Sequence, residues 1–560
     1  MKHKILGIII AMLLVATVGL GSIYAQTADY QVSIELYPTA DTTISLDGTT
    51  INVEGSGASV EGSVITISDA GTYSFNGTLT DGQIIVDTED AELVTLVLNG
   101  VNLSSSTSAP INIKNAELAA ILIADGTENY VSDATTYIYE NAEDDEPNAA
   151  VFSDDDLTIY GTGSLDVTAN YNDGIASKDS LTILSGDITV TSVDDGIRGK
   201  DYLIIDGANI VLNVQGDGLK SDNEDDATLG YINILSGDIN ITSGGDAVSA
   251  QSSLYVLDGT VTILSGGGST ANLSEDLSAK GLKSDLAIVI DGGTFVIDSA
   301  DDAIHANDSI VINNGTFTLA SGDDAIHADA TIDINDGIID IRASYEGIES
   351  AIITINDGNI HIVSSDDGIN VASGSNVMLI NGGYIVIDSE GDGLDANGSI
   401  VMTNGTVIVN GPTASMNSAL DYDSSFQITG GTFVAVGSSN MMQAPDTSST
   451  QYSLAVAFTE ALSAGTPVSI QNSAGEIVLT FVPTKTYQSI VFSSSELVAG
   501  ETYTIYQGGN VVGTATDGLY IDEIYSDGTA YTSLTLSSIT TQEGGGDGAG
   551  GGRGGRGGRP

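Results

Sequence analysis

The sequence predicts an all-β solenoid: a parallel β-helix of about 22 residues per coil, followed by a small antiparallel β module. Three observations predict it. A motif returns at a fixed interval: Asp301-Asp302-Ala303-Ile304-His305-Ala306-Asn307 comes back 22 residues later as Asp323-Asp324-Ala325-Ile326-His327-Ala328-Asp329. Its second position falls at 173, 195, 217, 246, 280, 302, 324, 346, 367 and 392, and nine of these ten residues are acidic. Between motifs, two runs of alternating apolar residues flank a glycine turn, as in Ser309-Ile310-Val311-Ile312, Asn313-Asn314-Gly315 and Thr316-Phe317-Thr318-Leu319. Alternation with period 2 and abundant β-branched residues point to strands, and no segment between motifs holds a helical pattern. Three short strands per repeat make one coil, and stacked coils sit about 4.8 Å apart around a continuous Ile/Val/Leu core.

The elements follow in chain order. Residues 1–25 read as an export signal, with a basic start at Lys2, His3 and Lys4, an apolar run from Ile5 to Leu20, and a cleavage site after Ala25. The alternative is an uncleaved anchor helix. Residues 26–442 form the β-helix. Its first part, to about Asn170, is less regular and is read as capping coils, punctuated by turns such as Asp47-Gly48, Asn76-Gly77 and Asn99-Gly100. The regular coils run from about Tyr171 to Asn410. Insertions after Lys220 and over Gly266–Asp276 leave them beside the acidic motif. Residues 443–541 show a new strand pattern and form the C-terminal module. Residues 542–560 are a Gly/Arg-rich tail whose composition predicts disorder.

Composition narrows the function. The chain has 560 residues, with 76 acidic and 14 basic side chains and a formal net charge of −62, so nucleic acid is an unsuitable partner. The absence of Cys removes disulfides and thiol catalysis. The absence of Trp argues against a flat aromatic platform for crystalline polymer, although 22 Tyr leave sugar stacking open.

In-register stacking turns each motif position into a column. Aspartates one coil apart then repel unless they splay into water, stay protonated or share cations. An oxygen-only donor set suits Ca²⁺ better than zinc. The candidate calcium ligands are Asp173, Asp194, Asp195, Asp217, Asp301, Asp302, Asp323, Asp324, Asp366 and Asp367. The alternative is that Asp-Gly simply makes the turn. A second column, two residues after the motif's Gly or Ala, reads Ala176, Arg198, Lys220, Ser249, Lys283, His305, His327, Glu349, Asn370, Asp395. Its cations Arg198, Lys220, Lys283, His305 and His327, with Lys200 nearby, are the candidate contacts for an extended anionic ligand. Equally, they balance the aspartates.

The segments Glu146-Pro147-Asn148-Ala149-Ala150-Val151-Phe152-Ser153, Tyr171-Asn172-Asp173-Gly174-Ile175, Val193-Asp194-Asp195-Gly196-Ile197-Arg198-Gly199-Lys200 and Ser344-Tyr345-Glu346-Gly347-Ile348-Glu349 resemble a bacterial carbohydrate-binding family named after a Clostridium thermocellum protein. The resemblance spans about Ile44 to Tyr506. It implies a right-handed β-helix shaped like pectate lyases, bound calcium, and binding of polygalacturonate with affinity for cellulose. Lys280 and Tyr345 depart from the doubled acid, so their coils are expected to lack a calcium ligand. The expectation is therefore a secreted or cell-surface, monomeric, non-catalytic binder of acidic polysaccharide (pectin-type), with no membrane partner beyond export. The alternatives are a calcium-dependent polysaccharide lyase or hydrolase of β-helix type, or a structural adhesin. Repetition argues against catalysis, because a catalytic site is a unique constellation.

Overall fold

The computed structural model describes residues 5–7, 33–35 and 38–544, except 140, 142, 275, 276 and 373–375. Most of the predicted export signal and almost all of the Gly/Arg-rich tail lie outside the described residues, as does part of the second insertion. The described residues contain strands and no α-helix. The chain is a β-solenoid of about 15 turns followed by an antiparallel sheet, and it divides into two compact units near Asp301–Asn307.

In the first unit Ile5–Gly7 pairs antiparallel with Ser33–Glu35, and two antiparallel hairpins follow, Thr42–Gly48 with Thr50–Glu54 and Ala58–Glu61 with Val64–Ile67. Parallel stacking starts at once: Val64–Ile67 pairs with Gln83–Asp87, which pairs with Ile111–Asn115, which pairs with Ala149–Ser153. The irregular region is therefore built of true coils. From Asp173 the three-strand coil is regular. The motif supplies a three-residue strand, Ile197–Gly199, then Leu219–Ser221, Val248–Ala250 and Leu282–Ser284, each parallel to the next. Side chains alternate along a strand, so the first and third residues of these pieces point inward. Ile197, Leu219, Val248 and Leu282 make one fully buried column. The predicted glycine turns take positive φ, 131° at Gly259 and 107° at Gly293, where an L side chain would be strained.

The second unit repeats this pattern. Ile348–Ile355, Ile369–Val371, Leu394–Ala396 and Leu420–Tyr422 stack in parallel register, and Ile348, Ile369 and Leu394 are fully buried. The last of these strands belongs to a coil the sequence reading did not count. Its motif, Asn417-Ser418-Ala419-Leu420-Asp421, has Ser418 where nine of the other ten coils carry an acid.

The C-terminal segment carries the expected antiparallel sheet and joins the solenoid directly. Tyr487–Ser493 lies antiparallel to Thr432–Gly437, the final solenoid strand, and to Ser453–Leu462. These strands extend the solenoid's own sheet over its last coil. A separate antiparallel sheet follows, with strands in the order 510–516, 519–526, 477–481, 468–471, 502–507, 529–535. Lys485 fastens the junction, with its ammonium 2.6 Å from Asp388 and 3.1 Å from Glu390.

Candidate functional site

The motif turn is built by its polar residues. Four positions before the motif's Gly or Ala stands a serine in many coils. Ser192, Ser243, Ser321 and Ser364 each donate their hydroxyl to the carbonyl two residues on, which bends the chain into the corner. The second acid then ties one coil to the next. Asp195 Oδ1 accepts the backbone N–H of Asp217 at 2.8 Å, Asp217 Oδ1 that of Asp246 at 2.8 Å, and Asp246 Oδ1 that of Lys280 at 2.8 Å. In the second unit Asp302 serves Asp324, Asp324 serves Glu346, Asp367 serves Asp392 at 2.5 Å, and Asp392 serves Ser418. A buried corner N–H without an acceptor is costly, so one carboxylate oxygen per coil has a structural task.

The other oxygen meets the outward column, and here the two units differ. In the first unit the register places Ala176, Arg198, Lys220, Ser249 and Lys283 side by side, as predicted. Lys220 lies 3.0 Å from both Asp195 and Asp217, and Lys283 lies 3.1 Å from Asp246. Burial alone would lower the Lys220 pKa, but Asp195 and Asp217 more than reverse that, and the net shift is upward. Arg198 turns to the insertion and grips both oxygens of Asp222. Lys280 sits 2.8 Å from Asp301 and supplies a cation in the coil that lacks the second acid. These cations balance the aspartates of their own ladder. Lys200 makes no ion pair among the described residues, and His305 faces Asn307 at 3.0 Å.

In the second unit the same column reads His327, Glu349, Asn370, Asp395, Asp421, each register-paired to the next. The cations have been replaced by acids. His327 lies 3.4 Å from Asp324 and 3.8 Å from Asp302. Beyond it, Asp367, Asp392 and Asp395 bring carboxylate oxygens within 4.8 Å of one another, and none has a basic partner among the described residues. Burial pushes Asp392 up to about 8, against the Ser418 N–H and helped by Asp367, Asp395 and Asp421. Burial, then Asp367 and Asp421, pushes Asp395 up to about 7. Burial also raises Asp324 and Glu346, with neighbouring carboxylates adding to it. Asn370 is 8% exposed, and its Oδ1 is buried with no hydrogen-bond partner.

The nominated calcium ligands therefore fall into separate groups. Asp301, Asp302 and Asp323 bring oxygens within 4.8 Å of one another, with Lys280 beside Asp301. Asp173, Asp194 and Asp195 do converge, with oxygens within 4.8 Å, but Asp195 is held by Lys220. Asp217 is also taken by Lys220. Asp194 and Asp323 are exposed, and Asp301 faces Lys280. Asp366 is bonded by the Tyr345 hydroxyl. Asp302 and Asp324 meet His327. Asp367 alone joins an oxygen-only cluster without a cation, and its partners Asp392 and Asp395 were not among the nominated residues. Both were visible in the sequence, at the motif's second position and in the outward column.

A family described as "Carbohydrate-binding domain-containing protein" matches residues 61–325 and 323–533. The chain belongs to this family. A carbohydrate-binding domain-containing protein of Acetivibrio thermocellus is 48% identical over 192 residues, covering 34% of this chain and 67% of the relative. A solved polysaccharide lyase-like protein from C. thermocellum is 35% identical, with a TM-score of 0.40, and the match covers 46% of this chain and 96% of that one.

Proposed function

We propose that this member of the carbohydrate-binding family is an exported, non-catalytic binder of acidic polysaccharide that uses calcium held by the second-unit ladder. The observation that carries the reading is the change of sign in the outward column: cations in the first unit, Glu349, Asn370, Asp395 and Asp421 in the second. Native folds rarely keep buried carboxylates together without compensation. Asp367, Asp392 and Asp395 form a hard, all-oxygen donor set, which suits Ca²⁺, and Asn370, register-paired to Asp395, has a buried Oδ1 with no hydrogen-bond partner. The His327 cluster suits it less, because it offers an imidazole nitrogen. Bound calcium would neutralise the carboxylates and present positive charge to a uronate, so that two anionic surfaces could associate.

The cations of the first unit give the polymer a second surface. Arg198 and Lys220 stand on neighbouring strands about 4.8 Å apart, close to the rise of a sugar residue in an extended chain, and Lys283 stands two coils beyond Lys220, past Ser249. Their ion pairs limit what each adds, so affinity would come from the number of rungs engaged. The column repeats one chemistry coil after coil, which supports binding over turnover.

The test is retention on immobilised polygalacturonate with calcium and with chelator. Calcium-dependent retention that is lost in Asp395→Ala supports the reading. Retention indifferent to chelator removes calcium from it. Unsaturated product accumulating with time, read by ultraviolet absorbance, would make the protein a lyase.

A further inference from the structure

We propose that a cleft in the first unit, well before the acidic ladder, is a separate subsite for a neutral sugar ring. This rests on the carbohydrate-binding reading and names a second ligand class within it. The cleft has a volume of about 260 Å³ and is lined by Asp145, Glu146, Asn148, Tyr171 and Asn172. That is small for an extended ligand and suits one pyranose unit.

Its wall is a fixed aromatic group. Tyr171 stacks on the buried Tyr137 with ring centroids 4.3 Å apart and planes 16° from parallel. The Tyr139 hydroxyl reaches the Pro147 carbonyl at 3.0 Å and the Tyr171 hydroxyl at 3.4 Å, pinning the loop to the wall. A tyrosine held in this way offers an apolar surface to the C–H bonds of a sugar at little entropic cost. The remaining lining supplies acceptors. Asp145 and Glu146 are exposed carboxylates, and the Asn148 Oδ1 is buried with no hydrogen-bond partner. A buried acceptor left unpaired costs free energy, and a ligand hydroxyl would satisfy it. Vicinal sugar hydroxyls are donors for such a set.

Charge sets the class. Lys178 is drawn to Glu146 at 2.6 Å and to Asp154 at 3.4 Å, so it neutralises part of the rim and leaves Asp145 uncompensated. A uronate carboxylate would meet this acidic edge unfavourably, whereas a neutral hexose or pentose would not. The cleft and the ladder thus select opposite ligand classes.

The experiment uses the full chain with cellohexaose, xylohexaose and mannohexaose, and trigalacturonate as the acidic control. Binding is read by saturation-transfer NMR in chelator, where calcium-dependent retention on polygalacturonate is silent. At least one neutral hexamer is expected to bind and to weaken tenfold or more in Tyr171→Ala and in Asp145→Ala, with Tyr171→Phe close to the parent. Asp145 is exposed, so its loss tests the cleft without touching the tyrosine stack. Polygalacturonate retention with calcium should be unchanged in all three, which separates failure of this subsite from failure of the ladder. The proposal is overturned if no neutral hexamer binds, if trigalacturonate binds better in chelator, or if Asp145→Ala and Tyr171→Ala both bind like the parent.

Discussion

Asp392 concentrates the charge problem of the acidic stretch. Its carboxyl shifts from 3.8 to about 8 in the folded chain. A raised acid binds protons more tightly when folded, so the unfolded chain carries fewer protons between the two values. Stability therefore falls as pH rises from about 4 to about 8. Calcium needs the ionised form and competes with those protons. Without calcium, melting is expected at a higher temperature at pH 5 than at pH 8, and calcium should raise it more at pH 8. Asp392→Asn keeps an oxygen for the Ser418 N–H and removes one charge. It should stabilise the calcium-free protein at pH 8 by about 1–3 kcal/mol and shrink the gain from calcium. Scanning calorimetry at both pH values checks this, and an Asp392→Asn protein that is less stable at pH 8 without calcium contradicts it.

The corner between coils is the element in which the aspartates do their structural work. Asp246 is 3% exposed. Its Oδ1 accepts the Lys280 N–H at 2.8 Å and the Ser278 hydroxyl at 2.6 Å, and its Oδ2 faces Lys283 at 3.1 Å. Asp246→Ala strands a backbone donor, a hydroxyl and an ammonium, and should cost about 3–5 kcal/mol. Asp246→Asn retains the acceptor and loses only the ion pair, so roughly half that cost is expected. Urea denaturation of both variants measures the difference, and equal losses would deny the corner hydrogen bond its role. This division of labour was only half legible in the sequence. The period, the inward Ile and Leu and the outward column follow from spacing alone, because a solenoid converts sequence interval into spatial neighbour. Which oxygen of Asp246 holds a backbone N–H does not, since a turn-forming Asp and a metal-binding Asp look alike in the chain. Balance and ligand contact also predict the same residues at Arg198, Lys220 and Lys283. Only their distances to Asp222, Asp195 and Asp246 show the balance. The coil at Asn417–Asp421 escaped because Ser418 replaces the acid that marked all the others but the one at Lys280, although Ala419-Leu420-Asp421 kept the rest of the pattern.

At the scale of the molecule, a solenoid's stability is close to a sum of coil terms and nearest-neighbour terms. A ligand bound to a few coils therefore protects those coils and their neighbours, not the whole chain. This makes the location of calcium observable without a mutation. Asp367, Asp392 and Asp395 join the coils whose motif strands are Ile369–Val371 and Leu394–Ala396. Calcium should slow amide exchange there and at the corner N–H groups of Asp392 and Ser418, which the same carboxylates already accept. The first-unit corners at Asp217, Asp246 and Lys280 carry Lys220 and Lys283 beside their aspartates and have little charge left to neutralise. Their exchange should be nearly independent of calcium. Hydrogen–deuterium exchange read by mass spectrometry, with calcium and with chelator, compares the two stretches in one experiment. A tenfold slowing over 366–396 with less than a twofold change over 195–250 is the expected contrast, equal to about 1.4 kcal/mol of local opening free energy in the acidic stretch. Protection centred on Asp173, Asp194 and Asp195 instead would move the metal to the cluster where Lys220 competes for Asp195. It would also mean that the ion displaces an existing salt bridge rather than filling a gap in the ladder.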